Sequence, residues 1–191
     1  LEALNLGIKL GPRDVAFRCN IVNAAHGLMH DFSSDHIDSR LSEIVISEIA
    51  KNVTLDDIEF YPGVSYRNIM VWRKYPHAEL PETIPPHDIQ DKPVEKYLPS
   101  GTGSEILREM MFMSKTVISD SAAIHDGTKK YQGNPESIWL WGGGRRPEVK
   151  TLNERFGLNG HTISAVDLIH GIGRAAGLTP LHVEGATGYI D

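Results

Sequence analysis

Apolar residues dominate Asp14-Val15-Ala16-Phe17-Arg18-Cys19-Asn20-Ile21-Val22, with the polar Arg18 and Asn20 two positions apart, and the run reads as a strand. A turn around Ala25-His26-Gly27 then leads into Leu28-Met29-His30-Asp31-Phe32, a second expected strand, and the pair reads as a hairpin. From Asp38, a residue type suited to an N-cap, the apolar residues Leu41, Ile44, Val45, Ile49 and Val53 recur at helical spacing, leaving Ser39, Glu43 and Glu48 for a wet face. Ile58 to Tyr61 and Tyr66 to Trp72 are strand-like again, joined through the turn dipeptide Pro62-Gly63. The first part of the chain therefore predicts a ββαββ order, with an amphipathic helix packed on a sheet.

Six of the eleven prolines fall from Pro76 to Pro99, including Pro85-Pro86, so this stretch predicts an extended loop held by its contacts. Thr102 and Glu105 have capping-box spacing ahead of an apolar stripe of Ile106, Met110, Met113 and Val117, which predicts a helix from Gly103 to Ser119. Ile138-Trp139-Leu140-Trp141 reads as a buried strand stopping at Gly142-Gly143-Gly144. Thr162-Ile163 reads as a strand end. Ser164 and Asp167 have capping-box spacing for a helix from Ala165 to Ala176 closed by Gly177, and Leu181-His182-Val183 reads as a last strand. The expected fold class is α/β, a mixed sheet with helices packed on it.

Composition narrows the function classes. The 191 residues carry 40% hydrophobic and 23% charged residues, ordinary globular values, and the one cysteine, Cys19, excludes an internal disulfide and points to a reducing compartment. On that ground Asn52-Val53-Thr54 is a chance glycosylation pattern. A formal charge of −6 argues against a nucleic-acid surface, so any anion site must be local. No apolar run approaches the roughly 18 residues of a membrane span. The chain opens on Leu1-Glu2-Ala3 without a methionine and reads as a piece of a longer polypeptide.

Several residues suggest chemistry. Gly171-Ile172-Gly173-Arg174-Ala175-Ala176 fits a dinucleotide pattern but sits late in an expected helix, which favours close helix packing. His26 and His30, four apart on an expected hairpin, would stand roughly 13 Å apart, too far to share a metal. Gly142-Gly143-Gly144-Arg145-Arg146 reads either as an anion nest after a strand or as a plain loop. Arg18 and Arg67 each interrupt an apolar strand, where an unpaired charge is costly, so each wants an internal carboxylate or an anionic ligand. His87-Asp88, behind the rigid Pro85-Pro86, could aim an imidazole at a ligand or lie on the surface. Capping alone accounts for Asp167. No isolated nucleophile motif, phosphate loop or redox cysteine pair is present.

Seven strings resemble one family when taken together. They are Leu1-Glu2-Ala3 with Leu6-Gly7-Ile8, Asp14 to Asn20, Tyr61-Pro62-Gly63-Val64-Ser65-Tyr66-Arg67, Pro86-His87-Asp88, Ile138-Trp139-Leu140-Trp141-Gly142, Ile163 to Ile169 with Gly171-Ile172-Gly173, and Gly185 to Asp191. In family order and nearly end to end, they resemble the archaeal-type cofactor-independent phosphoglycerate mutases of the alkaline phosphatase superfamily. The resemblance implies a single inserted, substrate-covering domain over residues 1–191, divisible into lobes 1–100 and 101–191, in a metalloenzyme whose phosphoryl-accepting serine and metal ligands lie outside this stretch. It implies phosphoryl transfer between 3- and 2-phosphoglycerate with two divalent ions, manganese the expected metal, and a cytoplasmic glycolytic enzyme. Its partners would be phosphoglycerate and the enzyme's own metal-binding core, with no nucleic acid and no membrane. This stretch alone would be inactive.

Within that resemblance, Arg18 and Arg67 are the first choices for holding the substrate, because a bidentate guanidinium suits a carboxylate, and His87 with Asp88 come second. They are expected on neighbouring strands, facing one cleft. The stretch His26 to His36 departs from the family's wording, so the resemblance passes no role to Asp31 or His36. Two other readings remain open: a homoserine-kinase-like phosphoryl-transfer relative, and a binding module without an enzymatic parent.

Overall fold

The computed structural model describes residues 1–53 and 55–184. In chain order the elements are α1 (Glu2–Asn5), β1 (Val15–Val22), α2 (Ser39–Asn52), β2 (Ile58–Val64), β3 (Arg67–Trp72), α3 (Ser104–Asp120), α4 (Ala122–Thr128), β4 (Ser137–Gly144), α5 (Leu152–Phe156), β5 (His161–Thr162), α6 (Asp167–Ala175) and β6 (Thr179–Pro180). They group into two compact units. One is Arg13–Gly144; the other joins Leu1–Pro12 to the chain from Arg145 onward.

The larger unit is built on a four-stranded sheet of order β2-β3-β1-β4, with every pairing antiparallel. The alternation of side chains along each strand decides which face meets the helices. Val15, Phe17, Cys19 and Ile21 of β1 are fully buried, as are Met70 on β3 and Ile138 and Leu140 on β4. Against them lie Leu41, Val45 and Ile49 of α2 and Leu107 and Met110 of α3. Each such side chain stabilises the fold by about 1.5–3 kcal/mol. α2 begins as expected at Asp38, whose carboxylate accepts the Arg40 N–H at 2.8 Å. Hydrogen bonds from the Arg40 side chain and backbone hold that carboxyl down at about 2. α3 docks on β4 partly through Ser114, whose Oγ accepts the Ile138 N–H at 3.0 Å.

The α/β class with helices packed on a sheet holds, and among the described residues parallel pairing is confined to the two-residue strands β5 and β6 of the smaller unit. Five local expectations change. Leu28 to Phe32 is not a strand: Asp31 bridges to Asn23, while Leu28 bridges to Pro93 and the Met29 N–H reaches the Lys92 carbonyl. With its backbone groups divided between two partners, the segment crosses the fold as a loop. Pro62-Gly63 lies inside β2 at an irregularity, and a Cβ on Gly63 would stand 2.2 Å from the Arg67 carbonyl oxygen. At α3 the N-cap is Gly103 in a left-handed conformation, φ 80°, without a capping box. At α6 the Ser164 hydroxyl accepts the Val166 N–H at 3.0 Å, and the Asp167 carboxylate takes the Asn5 amide at 2.9 Å in place of the expected reciprocal cap. In place of a strand at Leu181–Val183 the described residues have the short strand Thr179–Pro180 just upstream.

Candidate functional site

The second face of the four-stranded sheet carries the candidate residues. On β1 the side chains of Arg18 and Asn20 alternate with the buried Phe17 and Cys19, so they stand on the side away from α2 and α3. The β1–β3 register sets Arg18 opposite Ile69 and Asn20 opposite Arg67. Arg18 and Arg67 are therefore diagonal neighbours on one face, a relation of about 7–8 Å between strands. On the other side of β1, Arg18 faces Trp141 and Asn20 faces Trp139 of β4. The guanidinium carbon of Arg18 lies 4.5 Å from the centre of the Trp141 ring, a cation–π contact.

The proline-rich stretch runs over this face and brings His87 to it. Thr83 Oγ1 accepts the Gly142 N–H at 3.0 Å, and the Ile84 carbonyl accepts the Trp139 Nε1–H at 2.8 Å. These two bonds tie the stretch to the end of β4 just before the one-turn helix Pro86–Ile89. The His87 ring then sits edge-on to Trp141 at 5.5 Å and to Phe32 at 6.0 Å between ring centres. Asp88, more exposed, has its Oδ1 3.7 Å from His87 Nε2. Phe32 in turn packs on Tyr66 at 5.8 Å, and the Arg67 guanidinium lies 5.5 Å from the Tyr66 ring. The cluster is continuous from Arg18 through Trp141, His87, Phe32 and Tyr66 to Arg67.

Among the described residues no carboxylate pairs with Arg67, which is exposed at the start of β3. Arg73, just past the far end of the same strand, shows what an internal pairing looks like here. It binds Asp14 at 2.7 Å and Glu59 at 2.6 Å and receives support from the Tyr61 hydroxyl at 2.9 Å. Those hydrogen bonds hold the guanidinium well above its ordinary range. Among the described residues the one carboxylate borne on a strand, Glu59, is thus taken up by Arg73.

Reasoning from sequence missed the aromatic members Phe32, Tyr66 and Trp141, the buried Asn20, and a loop that Asp31 shapes. The Asp31 carboxylate accepts the Ser33 N–H and hydroxyl, both at 2.7 Å, and the Asp35 N–H. Burial would raise this carboxyl, but the Ser33 and Asp35 hydrogen bonds and the charge of His36 together hold it below its ordinary value. They also support three successive residues, Ser34, Asp35 and His36, at positive φ of 53°, 60° and 47°. The turn delivers the His36 ring to 6.3 Å from Tyr66, at the rim of the cluster. The spacing Asp31-Phe32-Ser33, an Asx-turn signature, was the available signal.

Other candidates resolve differently. Gly142 to Gly144 continue β4, and with the Gly142 N–H given to Thr83 and Gly144 paired to Ala16 the run is sheet edge, not an anion nest. Arg145 and Arg146 belong to the smaller unit, where with Lys150, Glu148 and Glu154 they line an open groove of about 690 Å³. Gly171 and Gly173 serve packing: a Cβ would stand 2.3 Å from the Leu1 carbonyl oxygen at the first and 2.5 Å from Thr162 Cγ2 at the second. Among the described residues no group of three or more His, Cys, Asp or Glu is arranged to hold a metal ion, and no helix is long and apolar enough to cross a membrane. The string Gly185 to Asp191 and Thr54 of the glycosylation pattern lie outside the described residues.

A family model for 2,3-bisphosphoglycerate-independent phosphoglycerate mutase matches residues 1–123. The chain belongs to that family. Over its whole length it is 43% identical to a protein of Geobacter sulfurreducens named probable 2,3-bisphosphoglycerate-independent phosphoglycerate mutase, and 40% identical to a mutase of that name from Methanosarcina mazei. In both cases it covers 48% of the relative, so the chain spans about half the length of these curated relatives. The fold matches the cofactor-independent phosphoglycerate mutase of Thermoplasma acidophilum with a TM-score of 0.62 at 19% identity, over 98% of this chain and 53% of that one. A Pyrococcus horikoshii protein matches with a TM-score of 0.66 at 20% identity, over 98% of this chain and 42% of the other. The family match takes in Arg18, Arg67, His87 and Asp88 and ends before β4.

Proposed function

We propose that this chain is the substrate-orienting part of a phosphoglycerate mutase that interconverts 3- and 2-phosphoglycerate, and that Arg18, Arg67 and His87 with Asp88 hold the substrate. The observation that carries the reading is the diagonal placement of Arg18 and Arg67 on one sheet face, joined by an aromatic cluster that includes His87. Glycerate must be kept while its phosphoryl group is away and must re-present its other hydroxyl, which requires fixed donors to its carboxylate. Two guanidinium groups on a rigid sheet meet that need, since each can offer paired N–H groups in one plane. An imidazole between two aromatic edges adds a third donor or acceptor on the same side. The metal ions, manganese expected, and the serine belong to the remainder of the enzyme in this reading, which also places the protein in the cytoplasm.

The test uses the full-length protein. Arg67→Ala should raise KM for phosphoglycerate and lower kcat/KM by about 1–3 kcal/mol of lost charge-assisted hydrogen bonding, with little change in Tm. A lowered Tm with unchanged kinetics of the folded fraction would make Arg67 structural. Assay of the wild-type full-length protein with phosphoglycerate, and separately with homoserine plus nucleotide, distinguishes the mutase from the kinase-like relative. The 191-residue chain by itself should interconvert neither phosphoglycerate isomer.

A further inference from the structure

Asn20 is only 3% exposed, yet it lies at the centre of the face just described, opposite Arg67 on β3 and Trp139 on β4. Its Oδ1 accepts the Trp141 Nε1–H at 3.0 Å, and its Nδ2 donates to the Phe32 carbonyl at 3.3 Å. An indole can only donate and a carbonyl can only accept, so the two partners fix which way the amide points. The same amide thereby grips the two aromatic residues that flank His87, one on β4 and one on the loop before α2. Trp139, two residues back on the same face, is anchored separately through Ile84. Asn20 is therefore the link specific to the Trp141 indole, and the Arg18 guanidinium rests against that indole.

We propose that Asn20 is a positioning residue for substrate binding on this face. It holds the Trp141 ring in the plane that orients Arg18, and it holds Phe32 where His87 can pack, so the separation between guanidinium and imidazole is set by one buried amide. The inference rests on the reading that this face holds phosphoglycerate. A side chain serving stability alone would leave the kinetics of the folded enzyme unchanged when removed; a positioning residue would not, because small displacements of an orienting donor are costly in rate.

The full-length enzyme provides the test, with kcat and KM for 3-phosphoglycerate measured beside Tm for Asn20→Ala, Trp141→Phe and the double variant. Trp141→Phe keeps an aromatic surface under Arg18 and removes only the donor to Asn20, so it probes the same link with the milder structural change if Asn20→Ala does not fold. Each single variant should lower kcat/KM by roughly 10- to 100-fold in folded protein, mainly through KM. The double variant should be no worse than Asn20→Ala, because both changes break one connection. Folded variants with kcat/KM within twofold of wild type, or effects that multiply in the double variant, overturn the positioning role and leave the proposed function standing. A wild-type enzyme that does not interconvert the phosphoglycerates overturns both.

Discussion

Cys19 and Glu59 show how a single position in this sheet sets a residue's chemistry. Cys19 sits on β1 with its thiol fully buried against α2 and α3, and burial pushes its ionisation well above the ordinary thiol range. The thiol should react with an aromatic disulfide reagent only after denaturant is added; stoichiometric labelling of the native chain would contradict its placement. For Glu59, hydrogen bonds from Arg73 and then Tyr61 hold the carboxyl below its ordinary value against a smaller effect of burial. Because the folded value is the lower one, this carboxylate contributes stability above the unfolded value of about 4.3, and the contribution disappears as pH falls through the folded value. Urea midpoints measured from pH 6 down to pH 3, as assay conditions, should fall more steeply for wild type than for Glu59→Gln. Parallel curves would remove Glu59 from the acid response.

Helices and strands with strong periodicity were legible one at a time, and their ends were less so. α2 begins at Asp38 as the sequence indicates because the cap is local, a carboxylate accepting a hydrogen bond from two residues on. The expected caps of α3 and α6 failed for a tertiary reason: the Tyr75 hydroxyl donates to the Thr102 carbonyl at 3.1 Å, Gly103 takes the capping position, and Asp167 is drawn to Asn5. Local capping does form at α5, where Thr151 and Glu154 make a reciprocal capping box that the sequence reading passed over. The glycines of α6 belong to this scale too. A Cβ on Gly173 would lie 2.5 Å from Thr162 Cγ2, 2.7 Å from Oγ1 and 3.1 Å from Cβ, so no rotation of the threonine relieves it. Gly173→Ala should destabilise the smaller unit by about 1–3 kcal/mol despite alanine's better helix propensity, and adding Thr162→Ala should restore most of the loss. Thermal melts of the two variants check this; an unchanged Tm for Gly173→Ala would show that the strand and helix are not in close contact.

Taken whole, the chain divides its apolar surface unevenly. In the unit formed by Leu1–Pro12 and the chain from Arg145 onward, Phe156, Leu158 and Ile163 are about three-fifths exposed, at 61%, 59% and 59%, and Val166 just before α6 and Ile169 and Ile172 on it are exposed as well. Exposed apolar area on that scale binds hydrophobic dyes. The 191-residue chain should therefore enhance the fluorescence of an anilinonaphthalene sulfonate, and Ile169→Lys with Ile172→Lys should reduce the enhancement while the far-UV spectrum is unchanged. A chain that leaves the dye dark would show these side chains covered.

By itself the sequence determined the α/β class, β1, α2, the presence of α3, the strand around Trp139 and the family, because each rests on local periodicity or on strings that survive without knowledge of their neighbours; the face α3 buries is Leu107, Met110, Met111 and Ile118, with Ile106, Met113 and Val117 of the expected stripe only partly covered. It also singled out Arg18, Arg67 and His87, since a charge inside an apolar run and a histidine behind paired prolines are visible along the chain. Only the tertiary structure decided that Asn20, Phe32, Tyr66 and Trp141 join them. Strand register and the path of the proline-rich stretch bring together residues as far apart in sequence as Asn20 and Trp141. The same register gave Arg73, and not Arg67, the internal carboxylates. Which arginine is neutralised within the protein and which is left without a carboxylate partner among the described residues depends on strand pairing, a long-range choice that hydrophobic patterning along one chain does not encode.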